Sequence, residues 1–304
     1  VVDLFCGCGG FTEGFKSAEF NILAGVDKDS DALKTYEANH DSDAYQLDLS
    51  EITPRDLCEH IGVQKNEIDG IIGGPPCQGF SQAGDRNPSD PRNKLVRNYF
   101  SIIEFVEPKF FVMENVPAIT YSRNKEAISY IQQKSDKMGY NLSYKTINVA
   151  DFGVPQTRKR TFFLGYKNTE PEFPNPTHEN NRVGMNDVID VPDGQIVSSY
   201  GTTETLKGER NTRHTSKPSY TVRATRCLVD IIPSDYEPPE DGSTPSITDV
   251  RIYRTDESES ALIQSFPKDF EFVGNKTSKQ SQIGNAVPPK MATAIADKVK
   301  DTLN

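Results

Sequence analysis

The sequence lacks long apolar runs: hydrophobic residues make up 35% of its 304 residues and charged residues make up 26%. A membrane-spanning helix needs about 20 consecutive apolar residues, and no segment approaches that length, which excludes a membrane span. Residues 1–5 carry neither a basic segment nor a cleavage site of the secretory kind. We therefore expect a trimmed or processed start and a cytoplasmic protein.

Cysteine and histidine are scarce, with five and four residues respectively. An odd number of cysteines scattered over a long chain argues against a disulfide framework and favours a reducing compartment. Cys6 and Cys8 are close enough to suggest a metal site, but no further Cys or His follows at a ligand spacing. No metal is therefore expected. The histidines stand apart from one another, and none receives a predicted role.

Positive charge is in the minority, since 34 Lys and Arg against 44 Asp and Glu give a net charge of -10. This balance argues against a nonspecific polyanion binder. A local basic face can still grip nucleic acid, because phosphate contacts need only a handful of side chains. Residues 210–229 contain no Asp or Glu and carry a basic cluster formed by Arg213, His214, Lys217, Arg223 and Arg226.

Short apolar runs alternate with amphipathic stretches in the first half of the chain, which predicts βα units building a mostly parallel sheet. After about Lys167, frequent prolines and Asp-Gly pairs indicate loops and small strands. Helical character returns from 281 onwards, so we expect a first domain at 1–167, completed by 275–304, and a second at 168–274. Strands are predicted at 1–5, 22–26, 69–72, 110–113, 144–149 and 161–165, and helices at 12–17, 30–39, 94–106 and 125–138.

A glycine-rich turn follows the first predicted strand, with glycines at Gly7, Gly9 and Gly10. Glycines permit a tight turn and a close backbone approach to a ligand at the carboxyl end of a strand. Alone, the pattern fits a plain βα turn equally well. Asp27 ends the second strand, where an acidic side chain accepts hydrogen bonds from ribose hydroxyls, and Asp48 suits an adenine amino group. Together these residues predict a nucleoside-bearing cofactor.

Two residues have the chemistry of a nucleophile and an acid. Cys77 follows Pro75 and Pro76, which stiffen the backbone, and neighbouring glycines remove bulk around the sulfur. A lone cysteine is ordinarily a small buried hydrophobe, but this polar loop predicts a rigidly presented thiol. Glu114 ends a buried strand and can donate a proton to a ring nitrogen, the alternative being an exposed acid at a strand end.

Gln156, Arg158 and Arg160 alternate along a segment that leads into a strand. Period-two spacing predicts that all three lie on one face. Two guanidiniums facing one pocket are typical of anion or base contacts. The alternative is a solvated basic edge.

In this order the motifs resemble those of the DNA (cytosine-5)-methyltransferases of bacterial restriction–modification systems. The resemblance implies an α/β fold: a Rossmann-like, S-adenosylmethionine-dependent methyltransferase domain whose mostly parallel sheet has helices on both faces. Beside it we expect a smaller loop- and strand-rich target-recognition domain. The cofactor loop, nucleophile, ENV, QxRxR and closing motifs of the family are matched by residues 3–10, 75–81, 114–116, 156–160 and 282–288.

The resemblance also implies which residues hold S-adenosylmethionine, whose product is S-adenosylhomocysteine. Phe5 is expected to stack on or near the adenine and Asp27 to hold the ribose. Lys28 stands where many relatives carry an aromatic residue, so that its aliphatic stem is left to cover the ring. The other expected cofactor residues are Asp3, Gly7, Cys8, Gly10, Asp48, Leu49, Pro76, Leu95, Asn285 and Val287.

For catalysis, the resemblance implies that the Cys77 thiolate attacks C6 of cytosine and so makes C5 nucleophilic enough to take a methyl group. Glu114 is expected to protonate or hydrogen-bond N3, while Arg160, with Arg158 beside it, steadies the base and Glu114. A base then removes the C5 proton, and the cysteine leaves by elimination.

A cytosine stacked in a duplex must be flipped into the pocket. Gln78 and Ser81 are expected to fill the vacated space or to hold the phosphate. Thr221 begins a Thr-plus-aliphatic pair that resembles the one in recognition regions of the family, and Arg223 or Arg226 is expected to read guanine in the major groove. The predicted DNA-contacting residues are Gln78, Ser81, Arg213, Thr221, Arg223 and Arg226.

The predicted function is therefore C5 methylation of a cytosine in a short double-stranded DNA sequence. A monomer is expected, with a restriction endonuclease acting on the same site without direct contact. A tRNA cytosine-5 methyltransferase of the same superfamily is the alternative, which the residues after Cys77 and the long variable segment disfavour. A silent binder built on this fold is a third hypothesis, disfavoured because Cys77, Glu114 and Arg160 are all present.

Overall fold

The computed structural model describes residues 1–76, 94–197, 212–225, 228–237, 240, 243 and 252–303. The chain divides into two compact units. Unit 1 takes in Val1–Ile147, Lys159–Asn175 and Met291–Asn304, and unit 2 takes in Asn148–Arg158 and Pro176–Lys290. These units differ from the two predicted functional domains, because 148–158 and 275–290 belong to unit 2. The division of catalysis and recognition between 1–167 and 168–274 stays a prediction.

Unit 1 is built on a seven-stranded sheet in the order β3-β2-β1-β4-β5-β7-β6. Neighbouring strands from β3 to β5 run parallel, and β7 pairs antiparallel with β5. The chain winds outward from β1 in both directions, so β1 and β4 flank the switch point where open α/β sheets bind ligands. The strands are β1 (Val2–Leu4), β2 (Ala24–Asp27), β3 (Asp43–Gln46), β4 (Gly70–Gly73), β5 (Phe110–Asn115), β6 (Asn141–Asn148) and β7 (Lys159–Tyr166).

Helices cover both faces of this sheet, as β5 demonstrates. Phe110 meets Phe15 of α1, with ring centroids 6.5 Å apart, whereas the next residue, Phe111, meets Phe100 of α4 at 5.5 Å. Successive side chains of a strand point to opposite faces, so α1 and α4 pack on opposite sides. The predicted α/β class with a mostly parallel sheet is confirmed. The helices are α1 (Gly10–Ser17), α2 (Ser30–Asn39), α3 (Pro54–His60), α4 (Lys94–Val106) and α5 (Lys125–Lys137).

Unit 2 contains a four-stranded antiparallel sheet in the order β11-β10-β8-β9. These short strands agree with the predicted loop- and strand-rich character. The elements are β8 (Gly194–Val197), β9 (Thr212–His214), β10 (Asp230–Pro233), β11 (Tyr253–Arg254), α6 (Glu257–Ile263) and α7 (Lys276–Asn285).

The last helix, α8 (Pro289–Leu303), enters unit 1 at Met291. There it packs closely on α1, since a Cβ at Gly14 would collide with the Ala292 side chain and the Thr293 backbone. Within the described ranges, no helix is long and apolar enough to cross a membrane.

Candidate active site

The turn after β1 lies at the switch point of the sheet. Phe5, Gly7 and Gly9 have φ values of 60°, 54° and 91°, and this left-handed conformation favours glycine. Gly9 is the N-cap of α1. A Cβ at Gly7 would meet no atom within 4 Å. The predicted cofactor loop is therefore a sharp turn that leaves room for a ligand against its backbone.

Asp27 is tied to this loop. Its Oδ2 accepts a hydrogen bond of 2.9 Å from the Gly7 N–H, and its Oδ1 accepts from the N–H groups of Lys28 at 2.7 Å and Asp29 at 3.0 Å. The side chain is half-buried, while Lys28 is exposed. The carboxylate thus lies at the loop with its orientation set by three backbone donors.

A buried polar network lies beneath the loop. Asp3 is fully buried, and its Oδ2 accepts from Thr12 Oγ1 at 2.8 Å. Thr12 Oγ1 also lies 3.2 Å from the Tyr36 hydroxyl. Among the described residues, Asp3 Oδ1 has no hydrogen-bond partner. Burial raises the pKa of Asp3 to about 7, against a lowering effect of the Thr12 hydrogen bond.

Burial also raises the thiol pKa values of the two cysteines in the loop, Cys6 and Cys8. It raises the pKa of Cys8 to about 12 and that of Cys6 well above its ordinary value. Both side chains are buried thiols rather than parts of a disulfide, so both stay neutral at pH 7 and neither is an activated nucleophile.

The remaining predicted cofactor residues of unit 1 surround the ends of β3, β4 and α4. Asp48 is exposed, and hydrogen bonding by the Ser50 N–H at 2.8 Å lowers its pKa. Leu49 is buried, and its carbonyl accepts from Asn98 Nδ2 of α4 at 2.7 Å. Leu95 is half-buried and Pro76 is exposed. Gly10 is the first residue of α1.

Asn285 and Val287 belong to unit 2. Asn285 is the exposed last residue of α7, and its Nδ2 donates to Ser281 Oγ at 3.3 Å. Val287 is 8% exposed. Their predicted cofactor contacts stay predictions.

Glu114 and Arg160 form an ion pair in unit 1. Arg160 Nε lies 2.8 Å from Glu114 Oε1, and the side chains are only 17% and 12% exposed. Arg160 is near the start of β7, which pairs with β5 where Glu114 lies. Because little solvent screens the pair, Arg160 holds the carboxylate in one orientation. The structure thus brings these two residues into contact, and the catalytic role expected of the pair stays a prediction.

Asn115, next to Glu114, is a site residue whose contact was not predicted. Its Nδ2 donates to the Pro75 carbonyl at 3.0 Å, and its Oδ1 accepts from the Val116 N–H at 2.9 Å. A side chain added at Gly74 would begin 3.4 Å from Glu114 Oε2. The peptide that leads towards Cys77 is therefore fastened to the end of β5. The Glu-Asn-Val motif was the available signal, but it does not reveal the partner.

Arg158 uses its guanidinium for buried hydrogen bonds to backbone, which corrects the prediction that it faces a pocket as an anion or base contact. Arg158 is 1% exposed and donates to the carbonyls of Val222 at 2.8 Å, Gly284 at 2.9 Å and Ala286 at 3.2 Å. These partners all belong to unit 2, whereas Arg160 belongs to unit 1. β7 begins only at Lys159, so strand periodicity does not extend back to Arg158.

The described DNA-contacting candidates lie in unit 2. Arg223 is exposed and Thr221 is half-buried, with its hydroxyl donating to the Thr157 carbonyl at 2.7 Å. Arg213 donates to Thr157 Oγ1 at 2.6 Å and lies over the Tyr220 ring, 4.1 Å from its centroid. The predicted residues that lie outside the described ranges are Cys77, Gln78, Ser81 and Arg226.

Comparison with known proteins supports the motif-based prediction along the whole chain. Type II methyltransferase M1.HphI of Haemophilus parahaemolyticus is 35% identical over 326 residues, which cover 98% of this chain and 86% of that protein. Type II methyltransferase M.FnuDI of Fusobacterium nucleatum is 33% identical over 340 residues, which cover 100% of this chain and 94% of that protein.

Solved structures agree on the fold. The Dnmt2 methyltransferase of S. pombe superposes with a TM-score of 0.77 at 18% identity, covering 100% of this chain and 98% of that one. The methyltransferase EhMeth of Entamoeba histolytica gives 0.75 at 17%, with the same coverage. The family model described as C-5 cytosine-specific DNA methylase matches residues 1–301. The chain therefore belongs to the C-5 cytosine-specific DNA methylase family.

Proposed function

We propose that this protein methylates C5 of a flipped-out cytosine within a short sequence of double-stranded DNA, with S-adenosylmethionine as methyl donor. The observation that carries the proposal is the arrangement at the end of β5. Glu114 is paired with Arg160, and Asn115 holds the peptide that leads to Cys77. An acid and the approach to a nucleophile thus meet on neighbouring strands.

The loop after β1 fits the proposed cofactor. Gly7 leaves open space at the backbone, Asp27 is fixed beside it, and Asp3 offers a buried oxygen without a partner in the described part of the chain. We assign Asp27 to the ribose and Phe5 to the adenine. When bound, S-adenosylmethionine supplies an electrophilic methyl group to C5.

The chain's own residues would prepare the cytosine. The Cys77 thiolate forms a bond to C6, and the electron pair displaced from the C5–C6 bond makes C5 nucleophilic. Glu114 neutralises the charge on the ring by protonating or hydrogen-bonding N3, and Arg160 keeps its carboxyl in place. After methylation, loss of the C5 proton to a base and breakage of the bond from sulfur to C6 restore the ring and the thiolate.

Recognition would be carried by unit 2 and by the segment after Cys77. Arg223 is exposed and lies in a segment, 210–229, that contains no Asp or Glu, which supports a role in reading guanine. We assign Gln78 and Ser81 to the flipped-out site, and Arg213, Thr221 and Arg226 to DNA contact. Arg158 is better supported as a positioning residue than as a catalytic one, since its donors bind backbone carbonyls.

The relatives are named Type II methyltransferases, which supports a role as the modification enzyme of a restriction–modification system. A restriction endonuclease would then share the DNA site without contacting this protein. A monomer in the cytoplasm suffices for this function, and gel filtration tests the monomer.

The test is methyl transfer from tritiated S-adenosylmethionine to unmethylated genomic DNA, followed by bisulfite sequencing. We expect 5-methylcytosine in one short sequence context. A duplex carrying 5-fluorocytosine at that site should trap an SDS-stable protein–DNA complex, because fluorine cannot leave C5 as a proton does. Label in tRNA but not in DNA would overturn the DNA assignment in favour of the tRNA alternative. Label in neither would favour the silent binder.

Two cysteine variants test the covalent step, one at the proposed nucleophile and one as its control. Cys77→Ser should abolish both methyl transfer and trapping. Cys58→Ser alters a free thiol in the hydrophobic core of unit 1 and should retain both. Methyl transfer by Cys77→Ser at the wild-type rate would exclude the thiolate mechanism.

A further inference from the structure

Three buried side chains, two amides and one guanidinium, belong to one hydrogen-bond network of unit 2 that holds a short peptide. Gln156, Gln264 and Arg158 are between 0% and 1% exposed. Such side chains are stable inside a protein only when their donors and acceptors are used. Gln156 and Arg158 bond Val222, which lies between Thr221 and Arg223 of the proposed recognition segment, and Gln264 bonds Gln156.

Val222 is held from both sides of its peptide. Its N–H donates to Gln156 Oε1 at 3.0 Å, and its carbonyl accepts from Arg158 Nη1 at 2.8 Å. Val222 itself is 1% exposed. It belongs to no assigned strand, so side chains provide the hydrogen bonds that a sheet would otherwise supply.

The backbone before Val222 is paired with the same motif. The Thr157 N–H donates to the Ser219 carbonyl at 2.8 Å, and the Ser219 N–H donates to the Pro155 carbonyl at 2.8 Å. The Thr221 hydroxyl adds its bond to the Thr157 carbonyl. Residues 219–222 are therefore held in a fixed register along 155–158.

Arg158 and Gln264 fasten this assembly to the end of α7. Arg158 donates to Gly284 and Ala286, and Gln264 Nε2 donates to Ile283 at 2.9 Å and Ala286 at 2.8 Å. Carbonyls at a helix C-terminus lack partners within the helix and carry partial negative charge, so a guanidinium is a favourable partner. Gln156 Nε2 donates to Gln264 Oε1, and this hydrogen bond links the residue that holds Val222 to the residue that holds the end of α7.

Gly284 brings the recognition segment directly onto the helix. A Cβ at this position would collide with Ala224 N and Arg223 C. The backbone on either side of the exposed Arg223 is thus fixed, by the clamp at Val222 and by α7 at Ala224.

We propose that Gln156, Arg158 and Gln264 form a positioning clamp that sets the register of 221–223 and thereby the discrimination between DNA sequences. This inference rests on the proposed function. The three side chains bond one another and the protein backbone, so the clamp acts through the orientation of Arg223. A base contact that is displaced loses its discrimination of about 1–3 kcal/mol, which is roughly five- to 150-fold.

The test uses Arg158→Met, which retains bulk but no donor, and Arg158→Lys, which retains charge but not the fork that reaches three carbonyls. The matched control is Arg182→Met, which removes an arginine of the same unit whose partner is Asp151 at 2.6 Å. Kinetics are measured on duplexes with the cognate site and with single base-pair changes. S-adenosylmethionine affinity is measured by calorimetry.

We expect Arg158→Met to lower the ratio of kcat/KM between cognate and altered sites about tenfold. KM for DNA should rise, while kcat at saturation and cofactor affinity stay within about threefold of wild type. Arg158→Lys should recover part of the ratio, and Arg182→Met should leave it unchanged. Loss of kcat with the ratio intact would overturn the clamp and return Arg158 to catalysis.

A second measurement is independent of activity. Hydrogen exchange at the Val222 amide should be slow in the wild type and faster in Gln156→Ala, which deletes its acceptor and also serves if Arg158→Met does not fold. Equal exchange in both proteins would overturn the clamp. If the wild type methylates no DNA but protects this amide, the proposed function fails and with it the role in discrimination, while the structural clamp stands.

Discussion

Replacing Asp3 with asparagine should change how stability depends on pH. Burial raises the pKa of Asp3 from 3.8 to about 7, so the folded protein binds this proton more tightly than the unfolded chain does. The resulting stabilisation is fully present below pH 3.8 and is lost as pH rises to about 7. Each pH unit in that window removes roughly 1.4 kcal/mol, and the whole shift corresponds to roughly 4 kcal/mol.

Asparagine keeps the size of the side chain and an oxygen that can accept from Thr12, but it does not titrate. The wild type should therefore lose roughly 2 kcal/mol relative to Asp3→Asn between pH 5 and pH 7. Urea unfolding followed by circular dichroism at pH 5, 6, 7 and 8 measures the difference. Comparing two proteins at each pH cancels the titration of every other group.

Asp48→Asn is the matched control. Hydrogen bonding by Ser50 lowers the pKa of Asp48 below 3.8, so its stabilisation is present above pH 3.8 and is lost only at more acidic pH. Its difference from wild type should be constant between pH 5 and pH 8. If Asp3→Asn also gave a constant difference, the reasoning from desolvation would be refuted.

Three further outcomes follow from contacts in unit 1. Arg160→Ala should lower kcat about 100-fold or more, because Glu114 loses the group that orients it; steady-state kinetics check this, and an unchanged kcat would contradict it. Asn115→Ala leaves the Pro75 carbonyl without its donor and should slow trapping on 5-fluorocytosine DNA about tenfold, at a cost of about 1–3 kcal/mol; trapping at the wild-type rate would separate Asn115 from the nucleophile. Gly14→Val should lower the melting temperature by several degrees, since the side chain would collide with Ala292; an unchanged calorimetric melting temperature would contradict that close packing.

Elements with a strong apolar pattern were predictable from the sequence. The strand at 110–113 and the helix at 94–106 are both buried on the face that the pattern indicates and appear as β5 and α4. β3 was not predicted, because it is a sheet edge whose residues are exposed or half-buried and show no apolar alternation. α3 was missed as a helix of seven residues, although Thr53 and Pro54 mark its start.

The candidate site was predictable where local motifs carry it and not where distant residues meet. The pairing of Glu114 with Arg160 was expected from the resemblance of their motifs to those of the family, and the structure places the two side chains 2.8 Å apart. The partners of Arg158 are 64 to 128 residues away in sequence, so the residues around Arg158 do not predict which carbonyls it will bond. The same holds for Asn115, whose partner Pro75 is 40 residues away.

One short motif therefore serves two different purposes. Arg158 is almost fully buried among backbone carbonyls, whose dipoles compensate its charge, so its guanidinium is unavailable to a substrate. Arg160, 17% exposed, is paired instead with the carboxylate of Glu114, which is proposed to act on the cytosine. Lysine at position 160 retains a charge beside Glu114, whereas lysine at position 158 cannot reach three carbonyls at once. Equal loss of sequence discrimination from both lysine substitutions would show that the two arginines act as one group, against the division argued from their partners.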